Sequence, residues 1–161
     1  MIVVIMGVTG VGKTTVGELL AAECGMRFYD ADDYHPPANV EKMRAGVALR
    51  DEDRWPWLER LNRLLAEAVQ RGESAVLACS ALKQSYRERL AAGLPELRFV
   101  WLHGDKQLIY DRLAARKGHY MNPTLLDSQL ATLEEPAGAI AIDIDRESQL
   151  IVKAIRDALG C

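Results

Sequence analysis

The stretch Gly7-Val8-Thr9-Gly10-Val11-Gly12-Lys13-Thr14, placed directly after the apolar run Ile2-Val3-Val4-Ile5-Met6, constrains this chain more than any other. A buried strand that runs into a glycine-rich turn and then into a helix-like periodic segment is the context in which GxxxxGK[ST] signifies a phosphate-binding loop. Gly7 and Gly12 let the backbone take conformations that a Cβ resists, so that successive N–H groups can face an anion at close range. The loop ends at a helix N-terminus, where unpaired N–H groups and the dipole both favour negative charge. Lys13 can reach the β- and γ-phosphates, and the Thr14 hydroxyl is placed to ligate magnesium. Gly7, Val8, Thr9, Gly10, Val11, Gly12, Lys13, Thr14 and Thr15 are therefore the expected nucleotide-binding residues, with Thr14 also a metal ligand. The motif points to a nucleoside triphosphate and is silent about what receives the phosphate.

A chain of 161 residues is about one domain, large enough for a core without disulfide or metal support. A net charge of −3 and the lack of a basic stripe give no reason to expect nucleic-acid binding. Cys24, Cys79 and Cys161 are odd in number and show no C-x-x-C spacing, so neither a disulfide framework nor a zinc site is indicated. No apolar run approaches membrane-spanning length, and the chain enters a core strand without a leader-like flank. A reducing cytoplasm is the expected location.

Short apolar runs at residues 2–6, 27–29, 75–78, 99–102 and 139–144 read as five strands, alternating with segments of helical spacing. The helices are expected over residues 14–24, 38–45, 83–92, 105–116, 124–133 and 147–159, with a longer one capped by Asp51-Glu52-Asp53. That alternation predicts an α/β fold with a five-stranded parallel sheet and helices on both faces, three layers in all. In such sheets ligands bind beyond the carboxyl ends of the strands, which puts Asp30, Asp32, Ser80 and His103 at the same edge as the phosphate loop.

Asp30 and Asp32 stand two apart at a strand end, and in extended backbone both would project to one side. One can order magnesium-bound water, which falls to Asp30, and Asp32 can accept a hydrogen bond from the hydroxyl that attacks phosphorus. His35, Lys42, Arg54, Ser80, Lys83 and Arg87 form a second polar set suited to an anionic, hydroxyl-rich acceptor. Among them Arg54 or Arg87 makes a better carboxylate clamp than a lysine, because a guanidinium offers two parallel donors. Arg112 and Arg116 are one helical turn apart just before Lys117-Gly118-His119-Tyr120, which reads as the base of a lid bringing positive charge to the transferring phosphoryl group. Trp55, Trp57 and Trp101 read as packing residues.

These residues resemble the small gluconate kinases. The resemblance runs through the phosphate loop, Asp30-Ala31-Asp32-Asp33-Tyr34-His35-Pro36 and Asn39-Val40-Glu41-Lys42-Met43. It continues in Asp51-Glu52-Asp53-Arg54-Trp55-Pro56-Trp57-Leu58, Cys79 to Arg87, Arg112 to Tyr120 and Gln129 to Pro136, nearly the whole chain. The resemblance implies a nucleoside-monophosphate-kinase-like P-loop NTPase fold over residues 1–161 with a small lid at about 117–124. It implies transfer of the γ-phosphate of ATP, with Mg2+, to the 6-hydroxyl of D-gluconate, a step of carbohydrate catabolism feeding the pentose phosphate route. By the same similarity Lys13, Asp32 and Arg116 are the catalytic residues and Arg112 joins the nucleotide side. His35, Arg54, Ser80, Lys83, Arg87 and His119 join Asp32 on the acceptor side. Tyr120 and Leu130 stand where the family often has phenylalanine. Members of the family are often dimers, which leaves a homodimer open.

Two other readings compete. Another small P-loop kinase, such as a shikimate-like one, would share the loop and the strand-end aspartates and differ in its acceptor residues. The other is a nucleotide-dependent switch or binding module that hydrolyses ATP slowly and acts through a partner; a guanine-specific one would carry N-K-x-D, and none of Asn39, Asn62 or Asn122 begins that tetrad.

Overall fold

The computed structural model describes residues 1–116 and 123–161. In chain order the elements are β1 (Ile2–Met6), α1 (Lys13–Cys24), β2 (Arg27–Asp30), a 3-10 turn (Ala31–Tyr34), α2 (Pro37–Arg44) and α3 (Asp51–Gln70). They continue with β3 (Ala75–Ala78), α4 (Gln84–Ala91), β4 (Leu97–His103), α5 (Lys106–Ala114), α6 (Pro123–Thr132), β5 (Ile140–Asp143) and α7 (Ser148–Leu159). The five strands form one parallel sheet in the order β2-β3-β1-β4-β5.

All five residues of β1 are buried, as expected for a central parallel strand covered on both faces. Its alternating side chains feed two cores. Val3 and Ile5 pack with Val16 and Leu20 of α1, Ile109 of α5, and Ile151 and Ile155 of α7. Ile2, Val4 and Met6 pack with Leu58, Leu61 and Leu65 of α3 and with Tyr86 and Leu90 of α4. This is the predicted three-layer P-loop kinase architecture. Asp30, Ile5 and Val100 share one level of the register through Ala78, so the loops after β1 to β4 leave the sheet on one side. No helix among the described residues is long and apolar enough to cross a membrane.

Three local expectations change. The backbone after Asp30 is not extended: it tightens into the 3-10 turn, because the Asp30 carboxylate accepts the Asp32 amide at 3.0 Å. The helix α5 ends at Ala114, so Arg116 lies beyond its end rather than on a helical face with Arg112, and Asp105 makes no side-chain cap at the other end. Of the three acids at the start of α3, Asp53 satisfies the entry by accepting the Arg50 amide at 2.9 Å. The expected lid falls mostly on residues 117–122, outside the described residues; Pro123 and Thr124 open α6.

Candidate active site

The phosphate loop is shaped by close backbone approach. Gly7 has φ +147°, and a Cβ there would stand 2.7 Å from the Leu102 carbonyl oxygen, an atom fixed in β4. Gly12, with φ +94°, is the left-handed residue from which α1 starts. The Gly7 amide donates to the Ser80 carbonyl at 3.3 Å, which joins this loop to the one after β3. The Thr9 amide donates to Oε1 of Gln129 in α6 at 2.6 Å.

Lys13 folds back across the loop and donates from Nζ to the Val8 carbonyl at 3.0 Å. Shielding by the surrounding loops lowers its pKa to about 8, against the pull of the Asp32 and Asp30 carboxylates, and the charge of Arg116 lowers it further. That effect brings Arg116 electrostatically to the site although its side chain starts beyond α5. The Thr14 hydroxyl donates to Oδ2 of Asp30 at 3.3 Å. Two hard oxygen donors thus stand side by side at the loop exit, a chemistry that fits magnesium with most of its waters retained. Desolvation, followed by repulsion from Asp30, raises the Asp32 pKa above the ordinary carboxylate value, with Lys13 opposing. Arg112 donates to the Ile144 carbonyl at 2.7 Å, beyond the end of β5.

The second polar group is centred on Asp51, at the start of α3. Its carboxylate accepts from the Tyr86 hydroxyl at 2.5 Å, from Lys83 at 3.3 Å and from Arg54 at 3.4 Å. The Arg54 and Lys83 cations also lie 5.5 and 5.6 Å from the centre of the Tyr86 ring. Beside them His35 stacks on Trp57 with ring centres 4.2 Å apart, while the indole N–H of Trp57 donates to the Ala31 carbonyl at 2.8 Å. Burial first, and the Arg54 charge second, lower the His35 pKa, so the ring is neutral near pH 7. Asn39 stands 3.2 Å from its Nδ1 and donates to the Asp53 carbonyl at 2.8 Å. Lys42 is held by Asp53 at 2.9 Å.

A triphosphate-type loop and a cationic, aromatic-lined cluster therefore share one sheet edge, the layout of a small kinase. Residues 9–156 match the family model described as Shikimate kinase. A probable gluconokinase of Xenopus tropicalis is 48% identical, over 96% of this chain and 91% of its own length. The gluconokinase of Gluconobacter oxydans (strain 621H) is 51% identical, over 83% of this chain and 75% of its own. The chain belongs to the gluconokinase family. The crystal structure of a gluconokinase from Sinorhizobium meliloti 1021 superposes with a TM-score of 0.89 at 42% identity, covering 98% of this chain and 90% of that one. The match to the shikimate kinase model reflects the P-loop kinase fold shared by the two groups, while the identities place this chain with the gluconokinases.

In this gluconokinase-family chain most of the expected residues fall into two groups. Gly7 to Thr14 and Asp30 meet at the loop, Asp32 and Arg116 lie within electrostatic reach of Lys13, and Thr15 is exposed one residue further along α1. His35, Arg54 and Lys83 gather around Asp51 and Trp57, and Ser80 joins the two groups through its carbonyl. Arg87 is a correction: it is 3% exposed and does not open onto the site. Its NH1 donates to the Ala81 and Leu82 carbonyls at 2.7 and 3.1 Å and its NH2 to the Glu134 carbonyl at 2.8 Å. Nε and NH2 also bond Oε1 of Gln84, which engages all five donors. The guanidinium instead fixes the loop in which Ala81 takes a left-handed φ of +46°. His119 lies outside the described residues. Cys79 is buried with its thiol pushed up to about 12, an inert packing residue. Asp51, Tyr86 and Gln129 were not expected at the site. The spacing of Asp51 to Arg54, one helical turn, was the available signal for the first of them.

Proposed function

We propose that this protein transfers the γ-phosphate of ATP to the 6-hydroxyl of D-gluconate, giving 6-phospho-D-gluconate and ADP. The likeness to proteins named gluconokinase over almost the whole chain carries this reading. The Arg54 and Lys83 pair gathered on Asp51 supports it. Lys13 and the loop amides hold the phosphates, with Arg112 on the nucleotide side, and Thr14 and Asp30 supply oxygens to magnesium. When bound, that ion neutralises charge on the phosphate oxygens. Asp32 orients the acceptor hydroxyl and takes its proton late, because phosphoryl transfer through a loose transition state relies on positioning first. Arg54 and Lys83 hold the acceptor carboxylate, His35 offers its Nε2–H to a hydroxyl, and Arg116 and His119 close the site from the lid side.

The proposal extends to one kinase domain over residues 1–161 with a lid at about 117–124, acting in the cytoplasm on a small molecule, without nucleic acid or membrane, and open to pairing as a homodimer. A coupled assay of ADP release with gluconate, shikimate and neutral hexitols tests it. Gluconate alone should accelerate ADP release, and acceleration by shikimate instead would move the chain to the other acceptor class. Equal release with every compound would favour a slow nucleotide switch.

A further inference from the structure

Neither the family likeness nor the roles given above explain why a carboxylate sits between the two cations that face the acceptor. Asp51 bonds Lys83, Arg54 and Tyr86 at once, and its side chain keeps 37% of its surface open, so it is neither a core ion pair nor a simple helix cap. Tyr86, His35 and the Lys42–Asp53 pair beside it add no net charge. Tyr86 holds its proton, with its pKa pushed up to about 12 by burial and by Asp51. His35 is neutral, and Lys42 is matched by Asp53. The Tyr86 hydroxyl, followed by Lys83 and Arg54, keeps Asp51 ionised by lowering its pKa. Two positive charges and one negative therefore leave a cluster with a single net positive charge.

We infer that Asp51 is a specificity-determining residue: it offsets one of the two acceptor-side cations, so that the pocket selects polyhydroxy acids carrying one negative charge over those carrying two. One carboxylate brings the cluster to neutrality, and a doubly charged head group leaves an excess of negative charge in a partly desolvated site. The inference rests on the proposed placing of the acceptor carboxylate at Arg54 and Lys83.

The test is a charge series of acceptors that keep the same terminal hydroxyl: glucitol, gluconate and glucitol 1-phosphate, compared by kcat/KM or by Ki where a compound is not turned over. The wild-type protein should favour gluconate over both. Asp51→Asn should raise the glucitol 1-phosphate to gluconate ratio by about tenfold or more. Asp51→Glu, which keeps the charge, should hold the ratio near the wild-type value even if both rates fall. An unchanged ratio in Asp51→Asn, with both acceptors losing equally, would make Asp51 merely structural and overturn the inference. Wild-type protein that uses the doubly charged acceptor as well as gluconate would overturn it without any variant. If the wild-type protein used shikimate and not gluconate, the proposed function would fall first, and the inference with it.

Discussion

The Thr9 amide of the phosphate loop and the Gln129 side chain of α6 meet at 2.6 Å across 120 residues of sequence. A loop whose amides must face an anion is thus steadied from α6, far along the chain. Gln129→Leu removes the acceptor and leaves a partly buried amide unpaired, at a cost of about 1 kcal/mol or more. We expect a fall of roughly 2–4 °C in thermal midpoint and a raised KM for ATP. Unchanged values of both would show that the amide is satisfied without Gln129.

Lys13, with its pKa lowered to about 8, gives nucleotide binding a pH dependence of definite sign. Above that pH the free protein holds a neutral amine, and binding a triphosphate must then take up a proton. Affinity for a non-hydrolysable ATP analogue should fall as pH rises past about 8, by up to tenfold per unit. Lys13→Ala should remove this dependence along with most turnover. A flat profile for the wild-type protein between roughly pH 7 and 9.5 would contradict the shielded amine.

Asp32 titrates above the ordinary carboxylate value of 3.8 because of desolvation and its neighbour Asp30. Turnover should therefore decline on the acid side from a higher pH than an unperturbed aspartate would give, since the protonated form cannot accept the hydroxyl proton. Asp32→Asn should lower kcat by about 100-fold or more while changing ATP binding little, and should erase that acid limb. An ordinary rate in this variant would remove Asp32 from its assigned role.

What the sequence made legible and what it hid divide along a physical line. The phosphate loop and the five strands were readable because their signals are local: glycine spacing, a following lysine and threonine, and short apolar runs between helical periods. The tight turn at Asp32 was not, because an Asp-x-Asp pair suits both extended backbone and a side-chain-capped turn, and only the Asp30 to Asp32 hydrogen bond decides. Asp51 read as one of three acids opening a helix, since nothing local tells that Lys83 and Tyr86 come to it from 32 and 35 residues away. Arg87 misled for the same reason: its guanidinium suited a carboxylate clamp, while its carbonyl partners come from the turn before α4 and from Glu134.

Arg54 and Arg87 should accordingly separate in a pair of alanine variants. Arg54 is partly open beside Tyr86 and Asp51, so Arg54→Ala should raise the KM for gluconate about tenfold or more and leave the thermal midpoint within about 2 °C. Arg87 is buried, and its loss strands the Ala81 and Glu134 carbonyls and takes one of two donors from the Leu82 carbonyl, which also accepts the Glu134 amide. Hydrogen bonds to a charged group are each worth about 1.5–3 kcal/mol, so Arg87→Ala should cost about 3 kcal/mol or more and lower the midpoint by about 6 °C or more. Because the strained Ala81 turn leads to Lys83, kcat should fall as well, through a loop that no longer holds its shape. Thermal denaturation beside steady-state kinetics distinguishes the two cases: a stable Arg87→Ala protein with only its gluconate KM raised would return Arg87 to the acceptor pocket.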